Sequence, residues 1–215
     1  MLRVEGLSKS YGEKRILDRV SFALGAGVFA LQGANGIGKS TLLALLVGAE
    51  PADGGDIWID GRNLREEPRP ARRLLSYAPD ESPAYPFMTG RELLDFVAMI
   101  KKARVAEVAL GLVEGFALGA FLDTRFSDLS LGSQKKFVLC AAWIGEARVM
   151  LLDEPSNGLD LAARDLLARM FRAEARSRTI VFASHDAEFV ETAGAAIIAL
   201  ETLLTYRAAS GVAPT

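Results

Sequence analysis

The sequence predicts an α/β fold with a mostly parallel central sheet, and three observations point to it. Short apolar runs recur at VFALQ (28–32), DIWID (56–60), VMLLD (149–153), TIVFAS (179–184) and AAIIAL (195–200). Several are almost uninterrupted, as expected of parallel strands covered on both faces. Helix-like stretches separate them: STLLALLVGA (40–49), ARDLLARMFRAEARS (163–177) and DAEFVETAG (186–194). Such alternation favours parallel strands joined by helices. The third observation is a change of texture from about 82 to 135. There RELLDFVAMIKKARVAEVALGLVEGF (91–116) is helical in pattern with no convincing strand, and it follows the proline-punctuated APDESPAYP (78–86). We expect a helical lobe inserted into the α/β core at about 82–135, with Pro79 to Pro86 as a mobile loop leading into it. At its far end, LSLGSQ (129–134) reads as a turn feeding the helix QKKFVLCAAW (134–143).

The 215 residues fit one substantial domain, residues 1–215, with no internal repeat and no low-complexity tail. Half of the residues are hydrophobic and 24% are charged, which permits a real core and excludes wholesale disorder. A formal net charge of −2 argues against broad electrostatic binding to nucleic acid, and none is expected as a partner. The single cysteine, Cys140, lies in an apolar run and has no internal disulfide partner, so a reducing, cytoplasmic setting is the default. The first residues lack the apolar core of a signal peptide. The longest uncharged run, Val20 to Gly38, is broken by five glycines, Gln32 and Asn35 and is not a membrane span.

GANGIGKS (33–40) matches G-x-x-x-x-G-K-[ST] in full, between an apolar strand and a helical run. Glycines allow the backbone N–H groups of Gly33, Ala34, Asn35, Gly36, Ile37 and Gly38 to curl around phosphates, and the helix start adds its positive end. Lys39 is expected to reach the β- and γ-phosphates and Ser40 to ligate Mg²⁺. No guanine-reading [NT]-K-x-D occurs. Tyr11 has the chemistry to stack on adenine, but an edge-strand aromatic is equally ordinary.

VMLLDEPSNGLD (149–160) ends a buried strand in two acids, a costly arrangement without a cation or hydrogen-bonding partners. Asp153 is placed to hold Mg²⁺ through water, and Glu154 to orient or deprotonate an attacking water. His185, the only histidine, follows another buried strand and can place an imidazole near the γ-phosphate.

These elements together resemble the ATP-binding subunit of an ABC transporter, nearly end to end and in family order: Tyr11, GANGIGKST, YAPDES, LSLGSQ, VMLLDEP, SNGLD and ASHD. The resemblance implies a small N-terminal antiparallel β part beside the P-loop core. It implies that Tyr11 stacks on adenine, that Thr41 joins the nucleotide site and that Glu154 is the general base. His185 would sense the γ-phosphate. Ser130 and Gly132 of the signature segment would contact nucleotide bound by an opposite chain, and Asp160 would lie on a loop crossing that interface. Two ATP molecules would then be held between two head-to-tail copies, identical or paralogous.

The chain departs from the family pattern in two places. Where L-S-G-G-Q is usual, Leu131 replaces the first glycine and Ser133 the glutamine, while Ser130 and Gly132 remain. Where a Gln is usual in the loop joining core and lobe, Asp80 stands, with Glu81 beside it. Asp80 has the oxygens to bind Mg²⁺, but its charge opposes a triphosphate unless a cation intervenes, so activity is expected to lean more on Mg²⁺.

The single ATPase half, with about 30 residues after ASHD, leads to the expectation of a stand-alone subunit. It would sit in the cytoplasm at the inner face of the cell membrane, held there by polytopic permease subunits. YAPDESPAYPFMTGRELLDF is similar to the acidic-loop version of exporter ATPases, which favours export. A soluble ABC ATPase of cofactor assembly shares the same motifs. A non-hydrolysing regulatory subunit fits less well, because Lys39, Asp153, Glu154 and His185 are all present.

Overall fold

The computed structural model describes residues 1–81, 86–105 and 107–205; residues 82–85 of the joining loop lie outside the described residues. A hairpin opens the chain, β1 (Leu2–Tyr11) and β2 (Lys14–Leu24), and β3 (Gly27–Gln32) runs into α1 (Lys39–Val47). Next come β4 (Gly54–Ile59), β5 (Arg62–Asn63), α2 (Pro68–Arg73) and β6 (Leu75–Ala78). The helical lobe carries α3 (Gly90–Lys101), α4 (Glu107–Gly115), two short 3₁₀ turns and α5 (Leu131–Ala142). The core resumes with β7 (Val149–Asp153), α6 (Leu161–Glu174), β8 (Thr179–Ala183), α7 (Ala187–Thr192), β9 (Ala196–Ala199) and α8 (Leu200–Thr205).

Two sheets result. One is antiparallel in the order β2-β1-β4-β5; the other is parallel in the order β6-β7-β8-β3-β9. The α/β class and the inserted lobe agree with the sequence reading, with two corrections. DIWID, grouped there with the apolar runs of the central sheet, belongs to the antiparallel sheet, where Val4 pairs with Ile57 and Leu2 with Ile59. Its burial alternates, with Ile57 and Ile59 inward and Trp58 outward under the Arg3 guanidinium, as a sheet covered on one face requires. In the parallel sheet one of the two edge strands is β6, which was not foreseen: four residues with a serine in the middle give little period to read. Ser76 is nevertheless buried and its hydroxyl donates to the carbonyl of Ala142.

Every residue of β7 and β8 is buried. Val149 and Leu151 pack toward α1 and the antiparallel sheet. Met150 and Leu152 pack toward the lobe and α6. On that second face Trp143 stacks on Phe171 at 6.0 Å, and Phe182 meets Phe171 and Phe189 at 5.4 and 5.5 Å. Helix α1 buries Leu42, Leu43, Leu45 and Leu46, while Ser40 is exposed and Thr41, Ala44 and Val47 are half-buried.

Within the lobe, the stretch read as continuously helical from 91 to 116 is two helices. Lys102 adopts a left-handed conformation (φ 50°) and its N–H returns to the carbonyls of Ala98 and Met99, closing α3. Thr89 and Glu92 form a reciprocal capping box at the start of α3. LSLGSQ, read as a turn, is for the most part helix: Ser130 is the N-cap and α5 begins at Leu131.

Candidate active site

The carboxyl ends of β3 and β7 open on one cavity of about 480 Å³. The phosphate loop lines it through Asn35, Gly36, Gly38, Lys39, Ser40 and Thr41, facing Asp80, Asp153 and Glu154, with Ile16 and Tyr77 among the walls. The loop is left-handed at Gly36 and Gly38 (φ 76° and 118°). A Cβ at Gly38 would lie 2.6 Å from Cγ2 of Ile16, so only glycine lets β2 close over the loop here. Lys39 donates from Nζ to the carbonyls of Gly33 and Ala34 at 2.7 and 3.2 Å, which folds its ammonium back over the cradle.

Asp153 is buried, and burial pushes its carboxyl pKa up, partly opposed by the Ser40 hydroxyl and added to by Asp80 and Glu154. A desolvated carboxylate beside a serine hydroxyl and a second acid is a donor set short of one cation. Glu154 has a left-handed backbone (φ 44°), unusual for a residue with a Cβ, held by its N–H to the carbonyl of Ala183. Its Oε2 is enclosed, and among the described residues its ion-pair partner is the His185 imidazole, whose Nδ1 lies 3.0 Å away. These groups fit a triphosphate with a divalent ion. Ser40, Asp153 and Asp80 would hold Mg²⁺, and its charge would offset that of the phosphates and the acids.

Glu154, as hydrogen-bond acceptor and then as charge, raises the pKa of His185. A raised histidine stabilises the fold below its unfolded value, near 6.5, and that contribution fades as pH climbs through the raised value. Melting temperatures of the wild type and His185→Gln are expected to differ at about pH 5 and converge by about pH 9. A gap that ignores pH would show the imidazole acting by packing alone.

Tyr11, Ser130, Gly132 and Asp160 do not line this cavity. Tyr11 gives its hydroxyl to Glu50, beyond the end of α1, with the Lys9 ammonium 5.1 Å from its ring. Ser130 Oγ accepts from the Ser133 N–H at 3.2 Å, the N-cap bond of α5, and donates to Ser133 Oγ at 3.0 Å. Asp160 caps α6 through the Ala163 N–H and takes a 2.6 Å bond from Lys136. The structure therefore brings Lys39, Ser40, Asp80, Asp153, Glu154 and His185 together and leaves the signature segment and Asp160 on a separate outward surface.

The geometry also accounts for the unusual signature. Leu131 is 82% exposed, so its side chain meets no obstacle. A Cβ at Gly132 would lie 2.8 Å from the Gly158 carbonyl, inside the closest approach real Cβ atoms make. Gly132→Ala is expected to lose about 1–3 kcal/mol in denaturant unfolding, whereas Leu131→Gly loses about 1 kcal/mol or less. Equal losses would remove the distinction.

Two residues missed by sequence reasoning belong here. Glu201, at the start of α8, accepts a 2.9 Å bond from the Ala34 N–H and lies against Gly33. Lys135, 5% exposed, points from α5 into the junction of Asp80 and Asp153.

With the geometry in hand, the chain can be compared with known proteins. The ABC transporter family profile matches residues 17–157. The chain belongs to the ABC transporter family. It is an ABC-type ATPase domain. It is 34% identical over 195 residues to the Nod factor export ATP-binding protein I of Paraburkholderia xenovorans, covering 88% of this chain and 64% of that one. It is 30% identical over 200 residues to the linearmycin resistance ATP-binding protein LnrL of Bacillus subtilis, covering 89% and 63%. The ABC domain thus spans less than two thirds of the length of either relative. Among solved structures, an ATP-binding subunit of an ABC transporter superposes with a TM-score of 0.83 at 29% identity, over 93% of this chain and 85% of the other. A dimeric ATP-binding cassette bound to ADP and Pi shares the fold at 21% identity and a TM-score of 0.79, over 93% and 94%.

Proposed function

We propose that this ABC domain binds and hydrolyses ATP with Mg²⁺, closes as a dimer on ATP, and drives export through separate polytopic membrane subunits at the inner face of the membrane. The convergence of Lys39, Ser40, Asp153 and Glu154 on one cavity, with His185 set against Glu154, carries the reading. Lys39 exchanges its two loop carbonyls for phosphate oxygens, so that its ammonium meets anionic acceptors in place of neutral ones. Glu154, fixed by its strained backbone and the imidazole, takes the proton of the attacking water. His185 steers that carboxylate from one side and offers a donor to the terminal phosphate from the other.

Two observations support the wider assembly. Ser130, Gly132 and Asp160 stand away from their own chain's cavity, which suits contacts made to nucleotide held by a second copy. Between α3, α5 and β6 lies an apolar groove of about 260 Å³, bordered by Leu93, Val97, Ile100 and Ala141. Phe96 and Met99 stand exposed on the same helix. A short amphipathic helix of a membrane partner matches such a groove. No helix among the described residues is long and apolar enough to cross a membrane, so the reading assigns the transport path to that partner. The name of the Nod factor export relative favours export. Sedimentation with and without Mg²⁺-ATP, together with co-purification with a polytopic membrane protein, tests the assembly. A monomer at saturating ATP that captures no membrane protein overturns it.

A further inference from the structure

Lys135 lies in the early part of α5, five residues beyond the Ser130 cap, and is nearly enclosed. Its ammonium reaches the Pro79 carbonyl at 3.1 Å, the Asp80 carbonyl at 3.0 Å, Asp80 Oδ1 at 3.2 Å and the Asp153 carbonyl at 3.0 Å. An ammonium has three protons, so these four oxygens saturate it. Burial of an ammonium carries a desolvation cost. Only a specific set of acceptors offsets it. Those acceptors sit just past the end of β6 and on the last residue of β7, neighbouring strands in register at Ala78 and Leu152, where Asp80 and Asp153 face the cavity. One side chain therefore binds the head of α5 to both acidic positions.

We propose that Lys135 is a positioning residue that couples the signature end of α5 to Asp80 and Asp153 of the same chain. Contact between the signature segment and nucleotide on a second copy would then be felt at the first copy's own metal-side acids. The inference rests on the proposed ATPase dimer and adds the path by which its two sites communicate. Lys135 also supplies the cation that makes an acid tolerable where the family usually has a neutral Gln: the Asp80 charge is met from within the protein.

The test is a cycle of Lys135→Met, Asp80→Asn and the double variant in the purified full chain, following kcat, KM for ATP and the Mg²⁺ concentration at half-maximal rate. Lys135→Met is expected to lower kcat about 10-fold, to shift KM by less than about twofold, and to raise the Mg²⁺ requirement. Adding Asp80→Asn is expected to recover part of kcat, since the uncompensated carboxylate is gone, which makes the two changes non-additive. Strictly additive losses, or an unchanged Mg²⁺ requirement, overturn the proposal. Should Lys135→Met fail to fold, hydrogen exchange on the wild type decides. With Mg²⁺ and a non-hydrolysable ATP analogue, amides of 80–81 and 131–136 are expected to gain protection together; protection of one segment alone overturns the coupling. A wild type without ATP turnover would instead sink the proposed function, independently of Lys135.

Discussion

Glu154→Gln is expected to lower ATP turnover by about 10²–10⁴-fold while leaving ATP binding nearly intact. The argument is geometric. The carboxylate faces the cavity with Oε2 enclosed, its backbone is held left-handed by a bond to the Ala183 carbonyl, and an imidazole lies 3.0 Å from Oε2. An amide of the same shape fills that space but accepts no proton. The loss should therefore appear in kcat, with the affinity for ATP preserved. Parallel measurement of nucleotide binding and phosphate release checks this, and a variant retaining a tenth or more of the rate would assign the base elsewhere.

Lys39→Ala should cost turnover about 10²–10³-fold and weaken ATP binding as well, since one charged donor to the phosphates is removed before and during the reaction. The contrast with Glu154→Gln is diagnostic: one change lowers kcat alone, the other both kcat and affinity. Lys39 faces two carbonyls in the free protein, so its removal leaves oxygens already on a solvent-reachable loop and should spare the fold. Equal melting temperatures with near-normal turnover would refute the assignment.

What could be read from the sequence was whatever depends on local chemistry. The phosphate loop is a contiguous run whose glycines and lysine have fixed spacing, and the strands that end in Asp153 and before His185 are uninterrupted apolar runs. Lys135 and Glu201 were invisible for the opposite reason. Their partners lie 55 and 167 residues away, at Asp80 and Ala34, so no spacing rule points to them. The edge strand β6 was missed because four residues carry no period. DIWID was placed in the wrong sheet because its apolar content was weighed without its alternation. Tyr11 showed its residue type but not its local bond to Glu50, which depends on how the hairpin meets the end of α1.

Helix α1 has one more consequence. Four leucines bury it between two sheets, and none of Thr41 to Val47 is exposed. A rod wedged between two sheets cannot slide or roll without disturbing two hydrophobic interfaces at once. The phosphate loop at its head is thus bolted to the frame, like the stator of a motor. Movement provoked by nucleotide is expected outside that frame, in the helical lobe rather than in the loop itself.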